Sequence, residues 1–295
     1  MSFPASSLPP PTRSWIEHVT GRRVISVAPL PGADTTSVEL IRLVAPSGAT
    51  IHAVLRRYTR PGFLAEEPDR AEHEAAVLRL IAGTDVRAPQ LIAVDPDGSE
   101  CGVPTVLMSR LAGHPGPVNR KRATAAAEEL ARVHAVDIAD LAWKYSPYHA
   151  GHEIFVPAWA KSAGLWTEAL ALARDLEPGD AVLLHRDYHA GTLLWSGHIV
   201  GGVADWLSAC LGPAGVDLGH FRVNLAADGL GDLGSAFVAA YRSASGRAHD
   251  PHWDVAAVID FLPWYEGEEA VNGWPGEDGP TRRSGLEDLL ASALA

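Results

Sequence analysis

The stretch Leu183–Trp206, LLHRDYHAGTLLWSGHIVGGVADW, carries two carboxylates in a setting that suits chemistry. His185-Arg186-Asp187 opens a polar loop, then come a strand, a glycine turn, a second strand and Asp205-Trp206. Such a frame can hold Asp187 near a reacting hydroxyl and Asp205 near a metal ion. Phosphoryl transfer asks for little more: positioned groups, and cations that balance the charge on the phosphates. Taken singly, Asp187 reads as a turn or cap residue; its company with Asp205 favours catalysis. His185 joins it as a catalytic-loop candidate, suited to holding the loop by hydrogen bonds rather than to carrying a proton. A zinc site of His185, Asp187 and His189 is the metallohydrolase alternative. It lacks the helical spacing of HExxH and an evident further ligand.

The elements around this stretch change character along the chain. Arg23–Pro29, Ser37–Val44 and Thr50–Tyr58 are short β-rich runs broken by Pro-Gly and Pro-Ser-Gly turns, with the polar turn Leu30–Thr36 between the first two. A helix starts at Pro68-Asp69, shows an apolar face at Ala71, Ala75, Val77, Leu78 and Ile81, and stops at Gly83. Leu91–Val94 and Thr105–Met108 read as further strands. After Gly113 the texture turns helical, with helices predicted at Arg120–Val136 and Leu165–Asp175 and short strands at Ala181–Leu184 and Ile199–Ala204. A β-rich half followed by a mainly helical half predicts an α+β fold of two lobes. The boundaries expected are a loose arm over 1–20, a β-rich N-lobe over 21–108, a hinge over 109–113 and a helical C-lobe over 114–295. A cleft between lobes is a common place for a ligand.

Composition narrows the classes. The chain has 295 residues, 47% hydrophobic and 20% charged, ordinary for a soluble globular protein. No apolar run approaches the roughly 20 residues of a membrane span. The start, MSFPASSLPPPT, lacks the basic and apolar regions of a secretory signal. Two cysteines, Cys101 and Cys210, read as reduced thiols of a cytoplasmic protein. The net charge of −12 disfavours nucleic acid and anionic lipid as partners and would attract a cationic small molecule, although acidity also simply keeps proteins soluble.

At HRDYHAGTLLW the pattern resembles the H-x-D-x-H-x-x-N catalytic loop of the aminoglycoside phosphotransferase family, which shares the protein-kinase-like fold with choline kinases. VADW, Val203–Trp206, is similar to its strand ending in a metal-binding Asp, and LGPAGVDLGHFRVNL, Leu211–Leu225, to the segment that follows. VLRRY, Val54–Tyr58, resembles the family's third strand, and EHEAAVLRLI, Glu72–Ile81, its ion-pair helix. VLMSRLAGHP, Val106–Pro115, resembles the hinge, and ELARVHAVD, Glu129–Asp137, the helix after it. The pieces fall in the family's order over about Leu30–Leu225.

The resemblance implies a protein-kinase-like fold and a small-molecule O-phosphotransferase using ATP or GTP with Mg2+ on a hydroxyl of an antibiotic or metabolite. Asp187 would orient and deprotonate the hydroxyl, and Asp205 would hold Mg2+. Arg56 would contact phosphates and pair with Glu74, or Glu74 is merely a solvated helix face. Gly32 and Ala33, in the turn before Thr36, would cover the phosphates with backbone N–H groups. Met108, Ser109 and Arg110 would meet the base edge. Asp260, Glu266, Glu268 and Glu269 would contact a cationic substrate, or form a solvated acidic loop. Read from the residues, Asp217 caps or braces the catalytic loop rather than reacting. Trp253, Trp264 and Trp274 read as core or lid packing rather than as sugar-stacking platforms. Two positions depart from the family: Thr192 stands where Asn is usual, leaving water-mediated metal binding or loss of the second metal, and Arg56 replaces Lys. Arg57, on the opposite strand face, offers another register. The alternative to an active kinase is a kinase-like protein that holds a nucleotide or ligand without transfer.

Overall fold

The computed structural model describes residues 8–30, 36–138, 141–150, 153–173, 179–262 and 279–295. The chain divides into two units. The first is Met1–Ala112 with Gly202–Ser208, and the second is Gly113–Gly201 with Ala209–Ala295.

In the first unit, strands β1 (Arg23–Pro29), β2 (Ser37–Val44), β3 (Thr50–Arg57), β4 (Leu91–Asp95) and β5 (Thr105–Ser109) form one antiparallel sheet in the order β1-β2-β3-β5-β4. Alternation decides what each face carries: Ile41 and Leu43 from β2 with Ala53 and Leu55 from β3 join Trp15, Ile16, Val27 and Leu107 in the core. Helices α1 (Pro10–Thr20), α2 (Pro61–Glu66) and α3 (Arg70–Ile81) complete the unit. The sequence suggests a loose arm up to residue 20, but Pro10–Thr20 is a helix that buries Trp15 and Ile16. Its prolines lie in the first turn, where a missing N–H breaks no helical bond. Gly202–Ser208 falls within the stretch that the sequence assigns to the helical half. It returns to the first unit because Val203 donates its N–H to the Arg87 carbonyl at 2.7 Å, and Trp206, fully buried, donates to the Val203 carbonyl at 2.8 Å.

The second unit holds helices α4 (Arg120–Val133), α5 (Ala163–Leu172), α6 (Gly215–Ala227), α7 (Gly234–Ser245), α8 (His252–Phe261) and α9 (Gly279–Ala293). Strand β6 (Ala181–Leu184) pairs antiparallel with β9 (Cys210–Pro213), and β7 (Leu193–Ser196) with β8 (Ile199–Val203) forms a two-stranded ribbon. Asn119 starts α4 by accepting the Arg122 N–H at 3.1 Å. Trp166, Val223, Val258, Leu286 and Leu290 form the helical core. Helix α6 approaches α8 closely at Gly219, where a Cβ would lie 2.3 Å from the Trp253 carbonyl oxygen. Only glycine permits that approach.

Candidate active site

Strand β6 delivers the chain to His185 with its backbone pointed at the start of α6. Asp217, in the first turn of that helix and fully buried, accepts the N–H groups of His185 and Arg186, each at 2.8 Å. His134 from the loop after α4 lies 3.2 Å from the same carboxylate and is itself held by the Tyr241 hydroxyl at 2.7 Å. Burial pushes the Asp217 carboxyl up. The His134 bond, the charges of His134 and His185 and the backbone donor outweigh it and hold the group below its usual range. Asp217→Ala would leave two buried N–H groups without an acceptor, so a loss of about 3–5 kcal/mol is expected. Thermal unfolding reads this as a drop in Tm on the order of 10 °C; a Tm within a degree or two of the parent excludes the bracing role.

Beyond the brace, Arg186 adopts φ +71°, a left-handed conformation that is uncommon outside glycine. Asp187 follows, with 39% of its side chain open to solvent. Its Oδ1 lies 3.1 Å from Nε2 of His220 on α6 and 3.7 Å from Nε2 of His189. Its Oδ2 accepts no hydrogen bond from the described residues. Burial alone raises this carboxyl, but the His220 hydrogen bond and the charges of His220, His189 and His185 bring it down to about 2. Asp187 is therefore ionised at neutral pH, with one oxygen hydrogen-bonded and the side chain partly exposed. His185 is fully buried, edge-on to Tyr188, whose hydroxyl donates to the Ala126 carbonyl at 2.8 Å. Thr192 closes the turn Ala190–Thr192. Its hydroxyl lies 3.2 Å from the Asp187 carbonyl oxygen and 3.0 Å from that of His189, and it accepts the His189 N–H at 3.4 Å.

In the first unit, Arg56 of β3 reaches two acids. Its Nε lies 3.3 Å from Glu74 Oε2 on α3, and its Nη1 lies 2.7 Å from Asp205 Oδ1. Tyr58 donates its hydroxyl to the same Glu74 oxygen at 2.9 Å. Burial lowers the Arg56 pKa, but Glu74 and Asp205 overcome it and hold the guanidinium more firmly protonated than usual. Burial raises the Glu74 carboxyl further than Arg56 lowers it, so Glu74 is a weaker acid than normal. Arg57 lies elsewhere: it pairs with Glu39 and lies 3.3 Å from the Ser37 hydroxyl. Asp205 follows β8 with φ +76° and 35% of its side chain exposed. Met108 is buried in β5, Ser109 donates its N–H to the Gln90 carbonyl at 2.8 Å, and Arg110 is exposed just past the strand.

Asp260 on α8 has both oxygens engaged, Oδ2 with Arg186 at 3.1 Å and Oδ1 with the backbone N–H of His149 at 3.1 Å and its Nδ1 at 2.6 Å. Gly32, Ala33, Glu266, Glu268 and Glu269 lie outside the described residues, as do Trp264 and Trp274. Trp253 lies in a hydrophobic cluster of the second unit. The motif reading passes over His220, although it is three residues beyond Asp217. That spacing puts both on one helix face, so a brace at Asp217 carries His220 toward the loop.

Fold and site together define a kinase-like phosphotransferase: an α+β chain with a five-stranded antiparallel sheet, an Arg–Glu pair on that sheet and its helix, and an ionised Asp on a braced loop. Residues 41–259 match the model of the APH phosphotransferase enzyme family, and the chain belongs to that family. It is accordingly an enzyme that transfers a phosphoryl group to an alcohol acceptor. No curated protein sequence matches it. Solved structures of similar fold include a Ralstonia eutropha JMP134 protein assigned to the aminoglycoside phosphotransferases, with TM-score 0.66, 17% identity and coverage of 96% of this chain and 97% of that one. A second is the macrolide 2'-phosphotransferase MphH from Brachybacterium faecium, with TM-score 0.59, 18% identity and coverage of 93% and 96%. A third is a thermostable variant of the aminoglycoside phosphotransferase APH(4)-Ia in ternary complex with ADP and hygromycin B, with TM-score 0.64, 13% identity and coverage of 96% and 99%. Among the described residues no helix is long and apolar enough to cross a membrane.

Proposed function

We propose that the protein transfers the γ-phosphoryl group of ATP to a hydroxyl of a small molecule of the antibiotic class, with Asp187 as the base and Asp205 as the ligand of Mg2+. The observation that carries this reading is Asp187 itself. Its carboxylate is ionised and partly exposed, held through Oδ1 by His220, with no hydrogen bond to Oδ2 from the described residues. A carboxylate so held can accept a hydrogen bond from an alcohol, aim its oxygen lone pair at a phosphorus atom, and take up its proton as the new bond forms. Arg56 offers a firmly cationic, planar group to nucleotide phosphates.

The donor set fits Mg2+ carried by a nucleotide. Among the described residues no three His, Cys, Asp or Glu side chains gather into a self-sufficient metal site, whereas Mg2+ on a nucleotide draws most of its ligands from phosphates and water and needs only one or two carboxylates. Asp205 is that carboxylate. Bound there, the ion neutralises charge on the phosphates. The Thr192 hydroxyl bonds to the Asp187 and His189 carbonyl oxygens, which supports a role in holding the turn. Nucleotide complexes support the choice of ATP: APH(4)-Ia was captured with ADP and with AMP-PNP, each alongside hygromycin B. The acceptor class rests on the same kind of likeness, to proteins that handle hygromycin B, macrolides and amicoumacin.

The test is ADP release from ATP and Mg2+ across a panel holding hygromycin B, a macrolide, amicoumacin and simple polyols. Acceptor-stimulated turnover supports the reading. A melting shift with ATP but no product from any acceptor would instead make the chain a nucleotide-holding protein. His220→Ala is expected to lower kcat about tenfold through misaim of Asp187, with the acceptor KM little changed. His220→Gln, which restores an N–H donor, should recover part of the loss. Equal kcat in all three proteins removes His220 from the site.

A further inference from the structure

We propose that Arg186 and Asp260 form a latch that holds the catalytic loop in shape, which makes Asp260 a positioning residue and not a substrate carboxylate. The inference rests on the reading of Asp187 as the base, because Arg186 is the residue whose backbone aims it. At φ +71° that backbone is one a glycine adopts freely and an arginine does not. Something must keep it there, and the side chain is anchored from three sides. Its Nη2 lies 3.1 Å from the Ser146 carbonyl oxygen and 3.1 Å from Asp260 Oδ2. The guanidinium carbon stands 3.7 Å over the Tyr148 ring and 4.8 Å from the centre of the Tyr145 ring. Both ion-pair partners are buried, at 5% and 7% side-chain exposure. An ion pair shielded from water this way is not loosened by solvent.

The second oxygen of Asp260 is equally committed, to the N–H and the ring of His149. Burial raises the Asp260 carboxyl, but the His149 hydrogen bond and Arg186 outweigh it and keep it ionised. A substrate amine would compete with Arg186 and His149 for a carboxylate that is 7% exposed, and displacing either would leave a buried group without its partner. The loop is thus pinned twice within the second unit: by its backbone to Asp217 at the start of α6, and by the Arg186 side chain to α8. Rotation about the Arg186 backbone swings Asp187 directly, so releasing the second pin misaims the base while the first still holds the loop in place.

The experiment is a double-variant cycle on the full chain: parent, Asp260→Asn, Arg186→Gly and both together. Two readouts apply to each: hydrogen exchange of the segment Leu184–Thr192, and acceptor-free hydrolysis of ATP with Mg2+. In the parent background Asp260→Asn is expected to speed exchange and slow hydrolysis about tenfold; in the Arg186→Gly background it should change neither, because the latch is already open. A substrate role predicts unchanged acceptor-free hydrolysis and unchanged exchange in Asp260→Asn, and that result overturns the latch. So does an effect of equal size in both backgrounds. Should Asp260→Asn alone fail to fold, Arg186→Gly and the double variant still decide, since any further loss between them counts against coupling. If the parent hydrolyses no ATP without an acceptor, the exchange arm alone judges the latch, and the proposed function is judged separately by acceptor-stimulated turnover.

Discussion

Asp187→Asn is expected to reduce acceptor phosphorylation by about 10²–10⁴-fold while nucleotide affinity stays within a few-fold of the parent. The amide keeps the volume and can still receive the His220 hydrogen bond at its carbonyl oxygen, so the loop stays folded. What it loses is the capacity to accept a proton. The pH profile separates this role from others. Asp187 is held at about 2, and a group with a depressed pKa loses its proton-accepting form only as pH falls through that low value. Asp187 therefore stays competent down to about pH 4 and below. A fall in rate between about pH 7 and pH 5 therefore does not report Asp187 losing its proton-accepting form. Rates for Asp187→Asn within tenfold of the parent would end the assignment.

Asp205→Asn is the second large effect, a fall of about 10²–10³ in turnover together with a Mg2+ requirement raised at least tenfold. A neutral amide oxygen is a weaker ligand than a carboxylate for a hard cation that parts reluctantly with its water. Among the described residues the ion-pair partner of Asp205 is Arg56, and Arg56 keeps Glu74 when Asp205 is neutralised. The fold should lose little, and Tm should move by only a few degrees. Initial rates against Mg2+ at fixed ATP, read beside a melting curve, separate the two consequences. An unchanged Mg2+ dependence removes Asp205 from metal binding. Its left-handed backbone fits a functional position, since strain of this kind collects where geometry serves function. Arg186 shares that conformation for a different reason, the latch on its side chain.

Local pattern carried much of the fold. The strands over Arg23–Pro29 and Ser37–Val44 and the helix before Gly83 follow from residue types at periods of two and 3.6, which any stretch of chain expresses by itself. Helix α1 escaped because its opening prolines look like breakers until they are seen in the first turn, and Trp15 and Ile16 look exposed until the sheet covers them. At the site, the spacing of His185, Asp187 and Asp205 and the eighteen-residue step from Arg56 to Glu74 were readable. Between Arg56 and Arg57 the sequence left both registers open. Packing decided it, by setting Arg56 against Glu74 and Asp205 and Arg57 against Glu39.

The sequence by itself determined the order of elements, the presence of a phosphotransferase-like catalytic loop and the pairing potential of its charges, because those depend on residues near one another along the chain. Only the tertiary structure decided which groups tune them. His220 meets Asp187 across 33 residues, and Asp260 meets Arg186 across 74. Such contacts carry no local signature: they exist because α6 and α8 pack closely at Gly219 and bring distant side chains to one loop. Thr192 is the local case: its hydroxyl lies 3.2 Å from the Asp187 carbonyl oxygen and 3.0 Å from that of His189, within the same loop.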